Sequence, residues 1–421
     1  MSAVQEESPP ATARGHRLAR MTGRDPGADH RAASPLELLF DLTFVVAFGQ
    51  AANELSHLVA DGHAAPGILG FVFAIGATCW AWVNFSWFAS AYDTDDWLFR
   101  VMTLVQMIGV VVLTLGLPAL FDSLEVGGTV DNGVLVAGYV VMRVAMIAQW
   151  LRVAVQDPLR RSTALAYAVL VGIAQLAWIA LVLVPQSALA FFVCAGLLFV
   201  FEAACPVIAE RRSSGTPWNP LHIAERYGLL AIIALGEGIF GTVAAVSALV
   251  DHQGWSTEAV LVVVAGVGIT FGLWWTYFIV PSGELLARHR ERSVVWGYGQ
   301  IVTLGAIAAI GAGLHVASDV IDGHAAVGVM AAIVSVSVPA LVFSVTLLAL
   351  HTYLLRELDR VMVGLVAGCV ATLVAAIGLA AAGAPIGVCL VVVTIAPAVV
   401  VVGYETVGYR REAAAVERAL A

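Results

Sequence analysis

Long apolar runs alternate with short polar breaks along nearly the whole chain. Runs of spanning length fall near 36–60, 67–90, 98–120, 133–154, 164–184, 187–209, 221–249, 257–280, 293–316, 325–353, 361–382 and 385–405. A helix needs about 20 mostly apolar residues to cross a bilayer, and each run supplies them. The pattern predicts an all-α, polytopic helical membrane protein with about twelve transmembrane helices. The tightest breaks are Pro185-Gln186-Ser187 and Gly383-Ala384-Pro385. Residues 1–33 are polar and carry Pro and Arg with no apolar core, so they read as a disordered cytoplasmic tail and not a signal peptide. Residues 410–421 read as a second cytoplasmic tail.

Charge sorts by side. Arg100, Arg152, Arg160, Arg161, Arg211, Arg212, Arg288, Arg290, Arg292, Arg356, Arg360, Arg410, Arg411 and Arg418 cluster in or beside every second connection and the C-terminal tail. The other connections hold Asp61, Asp122, Glu125, Asp131, Asp251, Asp319 and Asp322, and no arginine. By the positive-inside rule both termini are expected in the cytoplasm. The chain also reads as two six-helix copies, 34–212 and 213–409. Glu37 opens the first run and Glu225 the seventh; Trp80 and Trp82 in the second run are echoed by Trp274 and Trp275 in the eighth; Gln106 is echoed by Gln300 and Asp131 by Asp322. With an even number of helices per copy, the two would be parallel repeats.

Composition agrees with the pattern. The 421 residues are 60% hydrophobic and only 12% charged, where a soluble domain carries about a quarter charged residues. The chain has no lysine and a net charge of -9, which does not support a nucleic-acid-binding surface. Cys79, Cys194, Cys205, Cys369 and Cys389 all fall in apolar runs, without CxxC or Cys/His spacing, so neither a metal site nor a disulfide framework is indicated. No cofactor is expected.

Charges inside the runs are the candidate chemistry, because an intramembrane charge is costly. Ser34, Pro35 and Glu37 have the spacing of a capping box, which gives Glu37 a structural reason to be there. Asp41 lies one turn deeper on the same face and has no such reason. Arg143 sits near the centre of the fourth run; it either binds an anion or cross-links helices, and Asp41 is a possible partner. Glu202 is a further embedded acid in the sixth run. Asn219 and Pro220 open the seventh run, where Glu225 and Arg226 are adjacent and must diverge toward different partners. Glu237 follows, roughly 24 Å along that helix, between Gly236, Gly238 and Gly241. Glycines there permit either close helix packing or a local break beside a carboxylate. Trp82, Trp87, Trp274 and Trp275 read as an interfacial aromatic belt. Gln106, Gln149 and Gln300 read as hydrogen-bonding contacts between helices. Asp93, Asp95 and Asp96 form an acidic connection, more economically a solvated loop than a divalent-ion site.

Two stretches carry a family resemblance. Glu37-Leu38-Leu39-Phe40-Asp41-Leu42 resembles the opening signature of the bacterial low-temperature-requirement A family, and His222-Ile223-Ala224-Glu225-Arg226-Tyr227-Gly228, running to Glu237, resembles its second. Tyr139 to Arg143 and Trp274 to Phe278 also fit. The resemblance implies a multi-pass inner-membrane protein named for a growth phenotype in the cold, without a defined reaction. The chain departs from the family's usual pattern at Ile279, where an acid is common, and at Gln300, where a histidine is common.

These residues support a secondary transporter or ion-translocating protein, with Asp41, Arg143, Glu225, Arg226 and Glu237 along the path of a proton, cation or small solute. The alternative is a structural or regulatory membrane protein in which the same charges form a fixed ion-pair network. An enzyme is not expected, since no nucleophile–base pair, HExxH or phosphate loop is present. The lipid bilayer is the one certain partner, and the oligomeric state is left open.

Overall fold

A computed structural model describes residues 18–28 and 32–420, apart from the side chains of His252 and Gln253. The helices are α1 (Pro35–Ala60), α2 (Ala64–Tyr92), α3 (Trp97–Leu115), α4 (Leu117–Val126), α5 (Gly133–Gln156), α6 (Arg161–Leu183), α7 (Ala188–Glu210), α8 (Pro220–Gln253), α9 (Thr257–Tyr277), α10 (Ser282–Arg288), α11 (Ser293–Ile321), α12 (Val329–Leu355), α13 (Arg360–Ala381), α14 (Ile386–Gly403) and α15 (Tyr409–Leu420). Twelve spans among the described residues are long and apolar enough to cross a membrane, as the hydrophobic pattern predicts. The described residues contain no strand beyond one isolated bridge between Thr129 and Ser187.

Polar residues at the breaks set where helices begin. Ser34 and Glu37 form the expected capping box, with Pro35 in the first turn. Asp96 accepts from Phe99 N at 2.9 Å and starts α3, and Asn219 accepts from His222 N at 3.0 Å and starts α8. The third run is divided: Pro118 has no N–H to continue the ladder, so the helix re-forms after Gly116 as α4. Two further differences lie beyond the apolar runs read from the sequence. The connection after the eighth run contains the short helix α10, and residues read as a C-terminal tail form the helix α15.

The burial of the spans shows what lies at the centre. Within their most apolar windows, α2 is 72% buried and the span containing α11 is 78% buried, against 22% for α7 and 17% for α13. Helices α1 and α2 pack against both α8 and α11, so these four carry the junction between the first and second halves of the chain. In the first half α1 contacts α2 and α3, α3 contacts α5, α5 contacts α6, and α6 contacts α7. In the second, α8 contacts α9 and α11, α11 contacts α12, α12 contacts α13, and α13 contacts α14.

Residues 18–28, part of the stretch expected to be a disordered tail, run across one end of the bundle. Ala19 N donates to Asp96 Oδ2 at 3.1 Å, Met21 N to Gln156 Oε1 at 2.7 Å and Gly23 N to Asp157 Oδ2 at 3.2 Å. Asn219 Nδ2 donates to the carbonyls of Pro26 and Ala28. Met21 is fully buried, which explains why this polar stretch is held in place. Residues 1–17 and 29–31 lie outside the described residues.

Candidate functional site

The two acids of the opening stretch meet the second half of the chain. Glu37 and Asp41 are four apart on α1, and His222 and Arg226 are four apart on α8. Both cross-pairs therefore have the same sequence separation, as parallel helices in register require. Arg226 Nη2 donates to Asp41 Oδ1 at 2.5 Å, and its Nη1 lies 3.0 Å from Glu37 Oε1. His222 Nε2 lies 3.3 Å from Glu37. From α2, Trp82 Nε1 donates to Asp41 Oδ1 at 2.6 Å and Ser86 Oγ accepts from Arg226 at 3.3 Å. The guanidinium also sits 5.6 Å from the Trp82 ring centroid. Glu37, Asp41, His222 and Arg226 are all fully buried. Three helices from both halves are thus joined by one charge-assisted cluster.

Arg143 belongs to a second cluster and does not meet Asp41. Tyr139, one turn earlier on α5, accepts from Arg143 Nη2 at 2.6 Å and donates to Glu202 of α7. Arg143 and Glu202 form an ion pair at 3.7 Å, and Trp178 Nε1 of α6 donates to Glu202 Oε1 at 2.9 Å. A void of ≈ 10 Å³ touching Arg143 and Glu202 holds one water at most. The pairing of Arg143 with Asp41 fails because α1 faces α8 and α11 while α5 faces α3 and α6.

Glu237 differs from both clusters. It is 4% exposed and among the described residues its side chain makes no hydrogen bond or ion pair, while its carboxylate oxygens are not fully enclosed. It faces backbone from two neighbours: a Cβ on Gly49 of α1 would meet its Oε1 at 3.1 Å, and one on Gly311 of α11 would meet its Cβ at 2.7 Å. Its helix does not break. α8 runs unbroken from Pro220 to Gln253, and Gly241 serves instead for close packing, with the Gly311 carbonyl 2.7 Å from where its Cβ would be. Close packing is realised at Gly238, beside Thr270, and at Gly241, whereas Gly236 faces open space.

Titratable groups lie between Glu237 and the acidic end of the bundle. Gly311, His315 and Asp319 are four apart on one face of α11, spanning roughly 12 Å. On α1, His57 lies within electrostatic reach of Glu54, His315 and Asp319. Asp319 in turn senses Asp61, Asp322 and His324.

Other expectations are placed as follows. Glu225 is exposed and accepts from Ala33 N at 3.4 Å, so it does diverge from Arg226, but it joins no buried cluster. Gln106 donates to Gln149 at 3.1 Å across α3 and α5. Trp82 is no belt residue, because it is fully buried and bonded to Asp41; Trp274 is 40% exposed, as a belt residue is. The acidic connection is taken up by pairing: Asp95 with Arg100 at 2.9 Å, Asp96 with Arg152. Burial pushes the Asp96 carboxyl up, but the bond from Arg152 and backbone N–H groups outweigh this and hold it below the ordinary aspartate value. Among the described residues no three His, Cys, Asp or Glu side chains gather as a metal site. His222, Trp82, Tyr139 and Trp178 were not singled out as site residues by sequence; the spacing of His222 to Arg226, which repeats that of Glu37 to Asp41, is the signal for the first.

Residues 32–397 match the family described as bacterial low temperature requirement A protein (LtrA). The chain belongs to the LtrA family. The matched region contains both clusters and Glu237. An uncharacterized protein of Rhizobium meliloti (strain 1021) is 33% identical over 101 residues, which is 24% of each chain. No solved structure matches the chain at a significant level. At the two departures from the LtrA pattern, Ile279 is half-buried and Gln300 is buried with its Oε1 unbonded.

Proposed function

We propose that this LtrA-family protein is an ion-translocating protein of the bacterial inner membrane, with both termini in the cytoplasm and Glu237 as the group that takes up and releases the ion. The observation that carries the reading is a buried carboxylate without a partner at the junction of α1, α8 and α11. Such a group is expensive to keep unless it has a task. A proton suits it best, since a metal cation of the sodium or calcium type needs several oxygen ligands, whereas one carboxylate suffices for a proton. The line of His315, Asp319, Glu54 and His57 supports proton exchange with the acidic end of the bundle. The cluster of Glu37, Asp41, His222 and Arg226 is then a fixed joint between the halves. In this reading two six-helix repeats move relative to each other about that joint; their helices meet in a similar order, except that α9 also packs on α14 while α2 and α7 have no contact of that extent.

The test is flux in reconstituted vesicles under an imposed pH or potential gradient, read with an internal pH dye. We expect proton flux that falls at least tenfold in Glu237→Gln while insertion and thermal stability are kept. Unchanged flux in that variant, or no flux of protons, cations or small solutes in the parent protein, rules the reading out.

A second reading has one observation in its favour. The arginine clusters are dry and paired, as in a structural or regulatory protein of low-temperature growth whose ion pairs only fix helix register. Under it, exchanging the charges of Asp41 and Arg226 preserves cold growth, and no solute crosses.

A further inference from the structure

A cavity of useful size lies away from both clusters and from Glu237. It measures ≈ 400 Å³ and is enclosed by α9, α12, α13, α14 and the amphipathic helix α15, at the arginine-bearing end of the bundle. Its inner wall is apolar, with Leu347, Met362, Val366 and Val400. Its outer wall is α15, whose Arg410, Arg411, Glu412 and Arg418 all line it, opposite Glu357 and Asp359.

These charges do not all cancel. Arg411 Nε pairs with Asp359 at 3.3 Å, and Arg418 Nη2 donates to Glu357 at 2.7 Å. Two charged groups are left over. Glu412 is 7% exposed, and neither carboxylate oxygen has a hydrogen-bond partner. Arg410 is exposed at the rim and donates only to the hydroxyl of its neighbour Tyr409, at 2.7 Å. A buried acceptor beside an apolar cavity requires a donor that arrives with apolar surface attached.

We infer that this cavity is a binding site for an ammonium-bearing amphiphile, its hydrocarbon against Leu347, Val366 and Val400 and its N–H groups on the Glu412 carboxylate. Charge complementarity selects the ligand: an alcohol amphiphile would donate one hydrogen bond to Glu412 but leave its charge uncompensated, and a sulfate would be repelled by it. Two sources share this chemistry, the headgroup of an aminophospholipid and a free long-chain amine. In the phospholipid the phosphate would also engage Arg410, the second group left over. The site does not depend on ion translocation by Glu237.

The experiment uses the full-length protein in lipid nanodiscs. Dodecylamine, dodecanol and dodecyl sulfate are compared as competitors of a fluorescent alkylamine, and phosphatidylethanolamine with phosphatidylcholine by native mass spectrometry. Dodecylamine should bind at least tenfold more tightly than dodecanol, and Glu412→Gln should remove that preference. Val366→Phe, which fills the cavity from the opposite wall without touching Glu412, should weaken dodecylamine at least tenfold. Both variants should keep the parent melting temperature within a few degrees. Selective retention of phosphatidylethanolamine that Arg410→Gln abolishes identifies the lipid as the source; amine binding that Arg410→Gln leaves unchanged, with no lipid preference, identifies a free amine. Equal binding of dodecanol and dodecylamine, no binding at all, or binding insensitive to both Glu412→Gln and Val366→Phe overturns the proposal.

Discussion

Arg226 joins the two halves of the chain through a single guanidinium. It answers two fully buried carboxylates on another helix, so its removal leaves Glu37 with His222 and Ser34, and Asp41 with only the Trp82 indole N–H and no counter-charge. Breaking a buried pair by deleting one partner costs about 3–5 kcal/mol. Arg226→Gln is expected to lose that much, seen as a large drop in melting temperature in detergent. Glu225→Gln, the next residue but exposed, is expected to stay within about 0.5 kcal/mol of the parent. The acids of this site are legible in the sequence, because a spacing of four inside an apolar run marks one helix face. Their partner is not. Helical periodicity says which side chains share a face but not which helix that face meets, so the sequence offers Arg143 as a possible partner of Asp41, which in the structure pairs with Arg226. Trp82 is hidden for a similar reason: its ring suits an interfacial belt equally well, and only the packing of α2 against α1 and α8 turns the indole N–H toward Asp41.

At the scale of the helix, glycine position decides how closely α8 and α11 approach. A Cβ on Gly311 would come within 2.7 Å of the Glu237 main-chain carbon and Cβ, neither of which can swing aside. Gly311→Ala should therefore destabilise by about 1–3 kcal/mol, the usual cost of overpacking. Gly76, in the interior of α2, has nothing within 4 Å of the corresponding point. Gly76→Ala should be neutral or slightly stabilising, because alanine loses less freedom than glycine in a helix. Thermal unfolding of the two variants side by side separates the contact from the residue type. Helix starts at Ser34 and Asn219 follow directly from side-chain oxygens that cap exposed N–H groups and are readable, whereas the cap at Asp96 is hidden among the acids of its connection. The break at Gly116, α10 and the ordered α15 were not anticipated: hydrophobicity runs straight through the first, and the other two are short or amphipathic pieces outside any spanning pattern.

For the molecule as a whole, the question is which end faces the cytoplasm. The two ends differ chemically and each is knit together. At one, Ala326 N donates to the Ala60 carbonyl at 2.8 Å and His63 contacts Glu125 at 2.9 Å, among acids and without arginine in the connections. At the other, residues 18–28 bridge Asp93, Asp96, Gln156 and Asn219, and Arg290 donates to the Trp218 carbonyl at 2.7 Å. Arginine is retained on the cytoplasmic side during insertion, so that end should face inward. Single cysteines in a cysteine-free background test it. Cys79, Cys205, Cys369 and Cys389 are buried and Cys194 is partly so, which makes their removal necessary but mild for labelling. An impermeant maleimide added outside should label Asp61→Cys and Glu125→Cys, and should reach Arg161→Cys and Arg211→Cys only after the membrane is opened. The reverse pattern would invert the protein. The line from His57 through Asp319 would then deliver protons from the cytoplasm, and the amphiphile cavity under α15 would open to the outer leaflet, so this one measurement sets the direction of both proposals.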